Sequence, residues 1–173
     1  MNFKSWLPTF LGFPLGGLVA LETVGSLDGP LEGALGGLIA GSAIGAAQWL
    51  ALRSHGIDAR WIAHTAAAMA AGTAAAAALT GAGTDVPDLM LMGLLAGAAV
   101  GGAQSRLLGA GHGTWVAVTA ASWPLGWLAT ISIGAHVEDG FFVFGAAGAL
   151  LVTVLTGLAL QRRPRTALAG AAS

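Results

Sequence analysis

The chain has 173 residues, of which 55% are hydrophobic and only 9% charged, and its net charge is −1. Soluble domains carry roughly 25% charged residues, so this chain has too few polar groups to cover a water-facing surface and is expected to face lipid. The balanced charge offers no basic field for nucleic acid, and a sequence without Cys has no disulfide framework, thiolate nucleophile or cysteine metal ligand.

A helix needs about 20 apolar residues to cross a bilayer. Six stretches meet this, at 6–27, 30–52, 59–80, 86–108, 113–134 and 140–160. The first follows Lys4 like the apolar core of a signal peptide, but Pro8 and Pro14 interrupt it and no small-residue cleavage site follows. It reads as a retained span, with Glu22 near its far end. The second carries Gly33, Gly37, Gly41 and Gly45 at every fourth position and ends at Gln48 and Arg53. The third is alanine-rich and holds His64. The fourth repeats the glycine spacing at Gly93, Gly97 and Gly101 and ends at Gln104 and Arg106. The fifth contains Ser122, Trp123, Pro124 and Trp127. The sixth has Gly145, Gly148 and Gly157 without a matching stripe, and ends at Gln161 before Arg162, Arg163 and Arg165.

The charges between these stretches alternate. Lys4, Arg53, Arg60, Arg106 and the terminal arginines fall on one side; Asp28, Glu32, Asp85, Asp88, Glu138 and Asp139 fall on the other. Asp58 is the one acid in a basic gap. Lys and Arg are retained on the cytoplasmic side, so both termini are expected in the cytoplasm. Trp6, Trp49, Trp61 and Trp115 then fall near the cytoplasmic interface, where such rings anchor.

The sequence also repeats. Residues 35–48 align with 91–104 without a gap, and Trp61, Ala63, Thr65, Gly72 and Asp85 match Trp115, Ala117, Thr119, Gly126 and Asp139. The first span is a weaker copy through Trp6 and Gly17. The sixth is the most diverged, with Gln161 near the equivalent of Gln104. The expectation is a single integral membrane domain of three helical hairpins, 5–53, 60–109 and 114–163, with a short cytoplasmic tail at 164–173. Two crossings per repeat give all three one orientation, and they would close as a ring about a pseudo-three-fold axis.

The candidate functional groups are few. Residues four apart share a helix face, so the glycine stripes suit close helix packing or the lining of a narrow central path. Gln48, Gln104 and Gln161 would be polar glue between hairpins or a ring of amides at a cytoplasmic vestibule. Glu22 has no counterpart in the other repeats; it is a proton or cation site, or an interfacial acid with His136 on its side of the membrane. His64 is the one intramembrane histidine and lacks a second ligand at its depth. No His, Asp and Glu spacing suits a metal, and no nucleophile–base pair, phosphate loop or paired intramembrane carboxylates appear.

The run Ala-Ala-Gln-Trp-Leu-Ala-Leu-Arg at 46–53, echoed by Gly-Ala-Gln-Ser-Arg-Leu-Leu at 102–108, resembles a group of small multi-pass bacterial membrane proteins whose repeated Gly-rich spans end in Gln-Trp-Leu-x-Leu-Arg. The resemblance implies a polytopic fold over most of the chain and no particular activity. The leading expectation is a non-enzymatic structural or accessory subunit, without cofactor, that packs against itself or other membrane proteins. The competing one is a channel or carrier for an ion or small neutral solute along the axis, using Glu22 and the glutamines. A haem- or pigment-binding subunit using His64 and Trp123 is the third.

Overall fold

The computed structural model describes residues 3–108, 112–134 and 143–162. All regular structure among them is helical. The elements are α1 (Phe3–Trp6), a 3-10 segment at Leu7–Leu11, α2 (Gly12–Val24), α3 (Pro30–Leu52), a 3-10 turn at Arg53–His55, α4 (Arg60–Thr80), α5 (Val86–Ser105), α6 (His112–Ser132) and α7 (Ala146–Gln161). Glu138, Asp139, His136, Arg163, Arg165 and the tail lie outside the described residues.

Local chemistry explains where these helices start and stop. Pro30 opens α3 and Pro87 falls in the first turn of α5, where the missing N–H costs nothing. Glu32 and Asp88 occupy the same first turns, close to the exposed amide donors that a helix N-terminus presents. Asp58 does the same for α4. Its Oδ1 accepts the Arg60 backbone N–H at 2.7 Å and its Oδ2 is 3.3 Å from Arg60 Nε. The Arg60 backbone hydrogen bond, aided by the guanidinium charge and opposed by slight desolvation, holds the Asp58 carboxyl below its ordinary range. The one acid on the basic side is therefore a helix-starting residue. α4 ends at Gly81, whose φ of +64° is a conformation that costs glycine nothing. Pro8 lacks an amide donor and falls within the 3-10 segment, which divides the first apolar stretch.

Four helical stretches, Phe3–Val24, Pro30–His55, Arg60–Thr80 and Val86–Ser105, are long and apolar enough to cross a membrane. The last two apolar stretches differ from this. α6 has 21 residues but is diluted by Thr114, Thr119, Ser122, Pro124, Thr130 and Ser132. α7 has 16 residues and starts at Ala146, inside the stretch that begins at 140; residues 140–142 lie outside the described set.

Each helix packs on its neighbours in chain order, and α7 returns to α1, α2 and the 3-10 segment, so the helices form a closed ring. Inside the ring lies one apolar cluster to which every long helix contributes. It includes Phe13 of α2, Ile44 of α3, Met69 of α4, Met92 and Val100 of α5, Trp123 and Trp127 of α6, and Phe144 and Val152 at α7. Phe144 is its hub, stacked on Phe13 at 5.2 Å and edge-on to Trp123 and Trp127 at 5.6 and 5.9 Å between ring centroids. A second cluster of Trp6, Leu52, Ile57, Trp61, Leu108, Trp115 and Leu160 closes one end. Lys4, Arg53, Arg60, Arg106 and Arg162 adjoin its members in sequence, so the basic residues collect at that end.

Candidate functional site

The glycine stripes set how closely the helices approach. A Cβ added at Gly33 would fall 3.0 Å from the Thr73 carbonyl oxygen, at Gly41 2.9 Å from Ala66 Cα, and at Gly45 3.0 Å from Ile62 Cα. Gly37 is closed off by Thr73 Oγ1 and the Met69 carbonyl, and Thr73 Oγ1 also donates to the Gly33 carbonyl at 2.8 Å. The whole stripe of α3 therefore abuts the α4 backbone. Gly93, Gly97 and Gly101 abut α6 in the same way, at 2.8 Å from Pro124 N, 2.7 Å from the Thr119 carbonyl oxygen and 3.1 Å from Val116 Cα. Gly93 meets the one backbone nitrogen of α6 that carries no hydrogen. Both stripes face a neighbouring helix and not the centre of the ring. Between lipid-embedded helices there is no water to expel, so this close approach is the main source of attraction.

That approach brings a buried polar network together at the basic end. The indole Nε1 of Trp61 donates to Gln48 Oε1 at 3.1 Å, and that of Trp115 donates to Gln104 Oε1 at 3.1 Å. The two amides are joined: Gln104 Nε2 donates to Gln48 Oε1 at 2.8 Å and to Thr65 Oγ1 at 2.9 Å. Thr65 passes its own hydrogen to the Trp61 carbonyl at 2.7 Å. Gln104 thus uses both N–H donors, and the Gln48 oxygen accepts twice. Trp61 and Trp115 lie 6.3 Å apart between ring centroids. The network spans α3, α4, α5 and α6, and all five side chains are buried.

Gln161 does not join it. Its side chain is exposed at the end of α7. The corresponding place is taken by Thr156, whose Oγ1 lies 3.3 Å from Trp6 Nε1, while the Thr153 carbonyl accepts from the same indole at 3.0 Å. The spacing agrees. Leu52 follows Gln48 by four residues, Leu108 follows Gln104 by four and Leu160 follows Thr156 by four, and the three leucines meet in one cluster. Sequence reading missed Thr156 because it followed amide identity. The Leu four residues on was the usable signal.

The other candidates lie apart. Glu22 is exposed in the last turn of α2, at the acidic end, away from the network and the ring interior. His64 is half-buried on the outer side of α4, with Nδ1 2.9 Å from the Arg60 carbonyl. Trp123 and Trp127 point into the apolar interior. Three of the four tryptophans assigned to an interface, Trp6, Trp61 and Trp115, are almost wholly buried in protein, because side-chain or carbonyl acceptors on an adjacent helix satisfy their N–H groups. Trp49 alone is half-exposed, donating to the Ile57 carbonyl at 3.2 Å with Arg53 5.9 Å over its ring.

The network consists of amides, indoles and a hydroxyl, none of which titrates near neutral pH. Among the described residues no group of three His, Asp or Glu is placed to hold a metal ion. The chemistry available to the site is neutral hydrogen bonding between helices. No family model, curated protein or solved structure matches this chain. Fold and site together define an all-helical protein with several helices fit to cross a membrane.

Proposed function

We propose that the chain is a polytopic bacterial inner-membrane protein with six crossings in three hairpins about a pseudo-three-fold axis, and that its role is structural or accessory, packing against copies of itself or other membrane proteins. The observation that carries this reading is the filled interior. Phe13, Met69, Met92, Trp123, Trp127 and Phe144 occupy the space that a conducting path would need, and Glu22 is exposed on the outside. An ion crossing such a core would lose its hydration without gaining polar partners.

The three-hairpin reading is supported by small residues meeting at nearly matched positions, with Gly16 standing one residue before the aligned Gly17, whose Cβ would meet Val143 instead. A Cβ at Gly16 would fall 2.9 Å from the Ala40 carbonyl, and one at Gly72 would fall 2.6 Å from Ala96 Cα. Gly148 is closed off by the Gly126 carbonyl. An orientation with both termini in the cytoplasm is supported by Lys4, Arg53, Arg60, Arg106 and Arg162 adjoining one end cluster, since basic residues are retained on the cytoplasmic side. A packing role is supported by the outward face of α2 and α3, where Leu15, Leu18, Leu31, Leu35 and Leu38 are exposed. Lipid or a partner helix must cover such a face.

The test is cross-linking in native membranes followed by mild detergent extraction. A discrete homo-oligomer or a reproducible partner is expected, and a lone monodisperse species would overturn the packing role. Because the chain has no Cys, single cysteines at Ser26 and Ser54 report orientation: an impermeant thiol reagent applied outside the cell should label the first and spare the second.

A further inference from the structure

The outer surface between α4 and α5 carries a groove of about 510 Å³. Its walls are Ala63, Ala67 and Ala68 of α4 and Ala99 and Ala103 of α5, with His64 and Arg106 completing the lining. The two helices meet closely at Gly72, where an added Cβ would fall 2.6 Å from Ala96 Cα. Nearer the basic end Thr65 and Gln104 join the two helices on the inner side, while on the outer side the facing residues are alanines, which leave a shallow groove.

The polar groups of the groove are both at its basic end. His64 is one turn inside the start of α4, and Arg106 directly follows the last residue of α5. Arg106 is exposed, and one of its nitrogens donates to the Gly102 carbonyl at 3.1 Å. Its other guanidinium N–H groups have no partner among the described residues, and a guanidinium presents five donors in a fork suited to phosphate oxygens. The His64 Nδ1 faces a carbonyl, which only accepts, so Nδ1 carries the hydrogen and Nε2 is left for a ligand.

The α6–α7 surface supplies an internal comparison. It has a smaller groove of about 340 Å³, crossed by Leu125, Leu155 and Leu158 and reaching Arg162. There leucines line the groove in place of the alanines between α4 and α5.

We propose that the α4–α5 groove binds one anionic phospholipid, with an acyl chain along the alanine-lined surface, the headgroup phosphate accepting from the Arg106 guanidinium, and a headgroup hydroxyl, as in phosphatidylglycerol, donating to His64 Nε2. The proposal rests on the membrane reading above. A bare apolar groove would accept any lipid chain, but a guanidinium with donors uncommitted among the described residues selects a negative headgroup, and the adjacent imidazole nitrogen favours one that carries a hydroxyl. Basic pockets between helices on the cytoplasmic side recognise anionic lipids by this chemistry.

The experiment is native mass spectrometry of the full chain in neutral detergent, titrated with phosphatidylglycerol and, separately, phosphatidylcholine of the same acyl chains. One phosphatidylglycerol should bind with a preference of about tenfold, as one charge-assisted contact provides. Arg106→Gln, an exposed substitution, should abolish the preference. The pair Ala67→Leu and Ala103→Leu should lose both lipids; leucine is already tolerated on the α6–α7 surface, and elution and tryptophan emission will report intact folding. Equal binding of the two lipids, a preference that survives Arg106→Gln, or displacement of the lipid by inorganic phosphate would each overturn the proposal. Carbonate-washed membranes separate the two readings. Protein released by the wash would sink the membrane reading, whereas retained protein without a headgroup preference would sink only this site.

Discussion

Replacing Gln48 by Leu tests the network at its most shared atom. Gln48 Oε1 accepts from Trp61 Nε1 at 3.1 Å and from Gln104 Nε2 at 2.8 Å. Leucine fills nearly the same volume and accepts nothing, so the change strands the fully buried Trp61 indole N–H and one hydrogen of the Gln104 amide. Interhelical hydrogen bonds in membranes average about 0.6 kcal/mol and reach about 1.7. Two of them give an expected loss of about 1 to 3 kcal/mol. Gln161→Leu, at an exposed position, should stay within roughly 0.5 kcal/mol. Reversible unfolding in mixed micelles, followed by tryptophan fluorescence, measures both. The double substitution of Gln48 and Gln104 should cost less than the sum of the single ones, by about the value of their shared bond. Gln48 with Gln161 should add within about 0.5 kcal/mol. Equal costs at Gln48 and Gln161, or no coupling between Gln48 and Gln104, would refute the view that this amide pair ties the helices together.

Gly37→Ala should destabilise by about 1 to 3 kcal/mol in the same assay, because the new methyl would lie 2.8 Å from the Met69 carbonyl oxygen; Gly102→Ala, with nothing within 4 Å, should be neutral or stabilising by up to about 1 kcal/mol. Asp58 has a folded pKa below its ordinary value of 3.8, so its stabilising contribution is present above that value and is lost as pH falls through the folded one. Wild type should melt above Asp58→Asn at pH 7 and converge with it in strong acid, and a gap that widens on acidification would contradict the assignment. Thr9 Oγ1 and Thr153 Oγ1 are buried with no hydrogen-bond partner, so valine at either position should raise stability by about 1 kcal/mol by removing an unsatisfied polar atom; a loss instead would mean that these hydroxyls are satisfied in the membrane.

The helical, apolar character of the chain was legible from composition and stretch length, and so was the shared face of each glycine stripe, because a four-residue spacing fixes a face whatever lies opposite. What lies opposite was not legible. Gly41 meets Ala66, and Gly97 meets Thr119 and Trp123, only because α3 pairs with α4 and α5 with α6, and helix pairing depends on surfaces far apart in sequence. Trp61 and Trp115 were read as interface anchors because an indole needs a polar partner. The acceptor turned out to be an amide on the preceding helix, 13 and 11 residues away across a turn. Thr156 was invisible for a related reason: an interhelical bond needs an oxygen at a given depth, and hydroxyl and amide both supply one.

The seam between α7 and the first stretch differs physically from the other two glycine-lined pairings. Where α3 meets α4, Gly45 lies under Thr65, and where α5 meets α6, Gly101 lies under Thr119. On α7 the residue three before Thr156 is Thr153, as Gly45 is three before Gln48 and Gly101 three before Gln104. Thr153 thus puts a side chain where the other two seams have none. The opposing stretch is also distorted, because Thr9 falls in the 3-10 segment. In α-helical surroundings Thr65 and Thr119 donate to the carbonyl four residues back, at 2.7 and 2.8 Å. The 3-10 winding moves that carbonyl out of reach of Thr9, and its hydroxyl is left without a partner. The α7 seam therefore lacks the glycine stripe of the α3–α4 and α5–α6 seams and holds two buried hydroxyls without partners, Thr9 and Thr153. The amide network ties α3, α4, α5 and α6 together and does not reach this seam, which is held instead by the Trp6 indole on the Thr153 carbonyl and Thr156 hydroxyl.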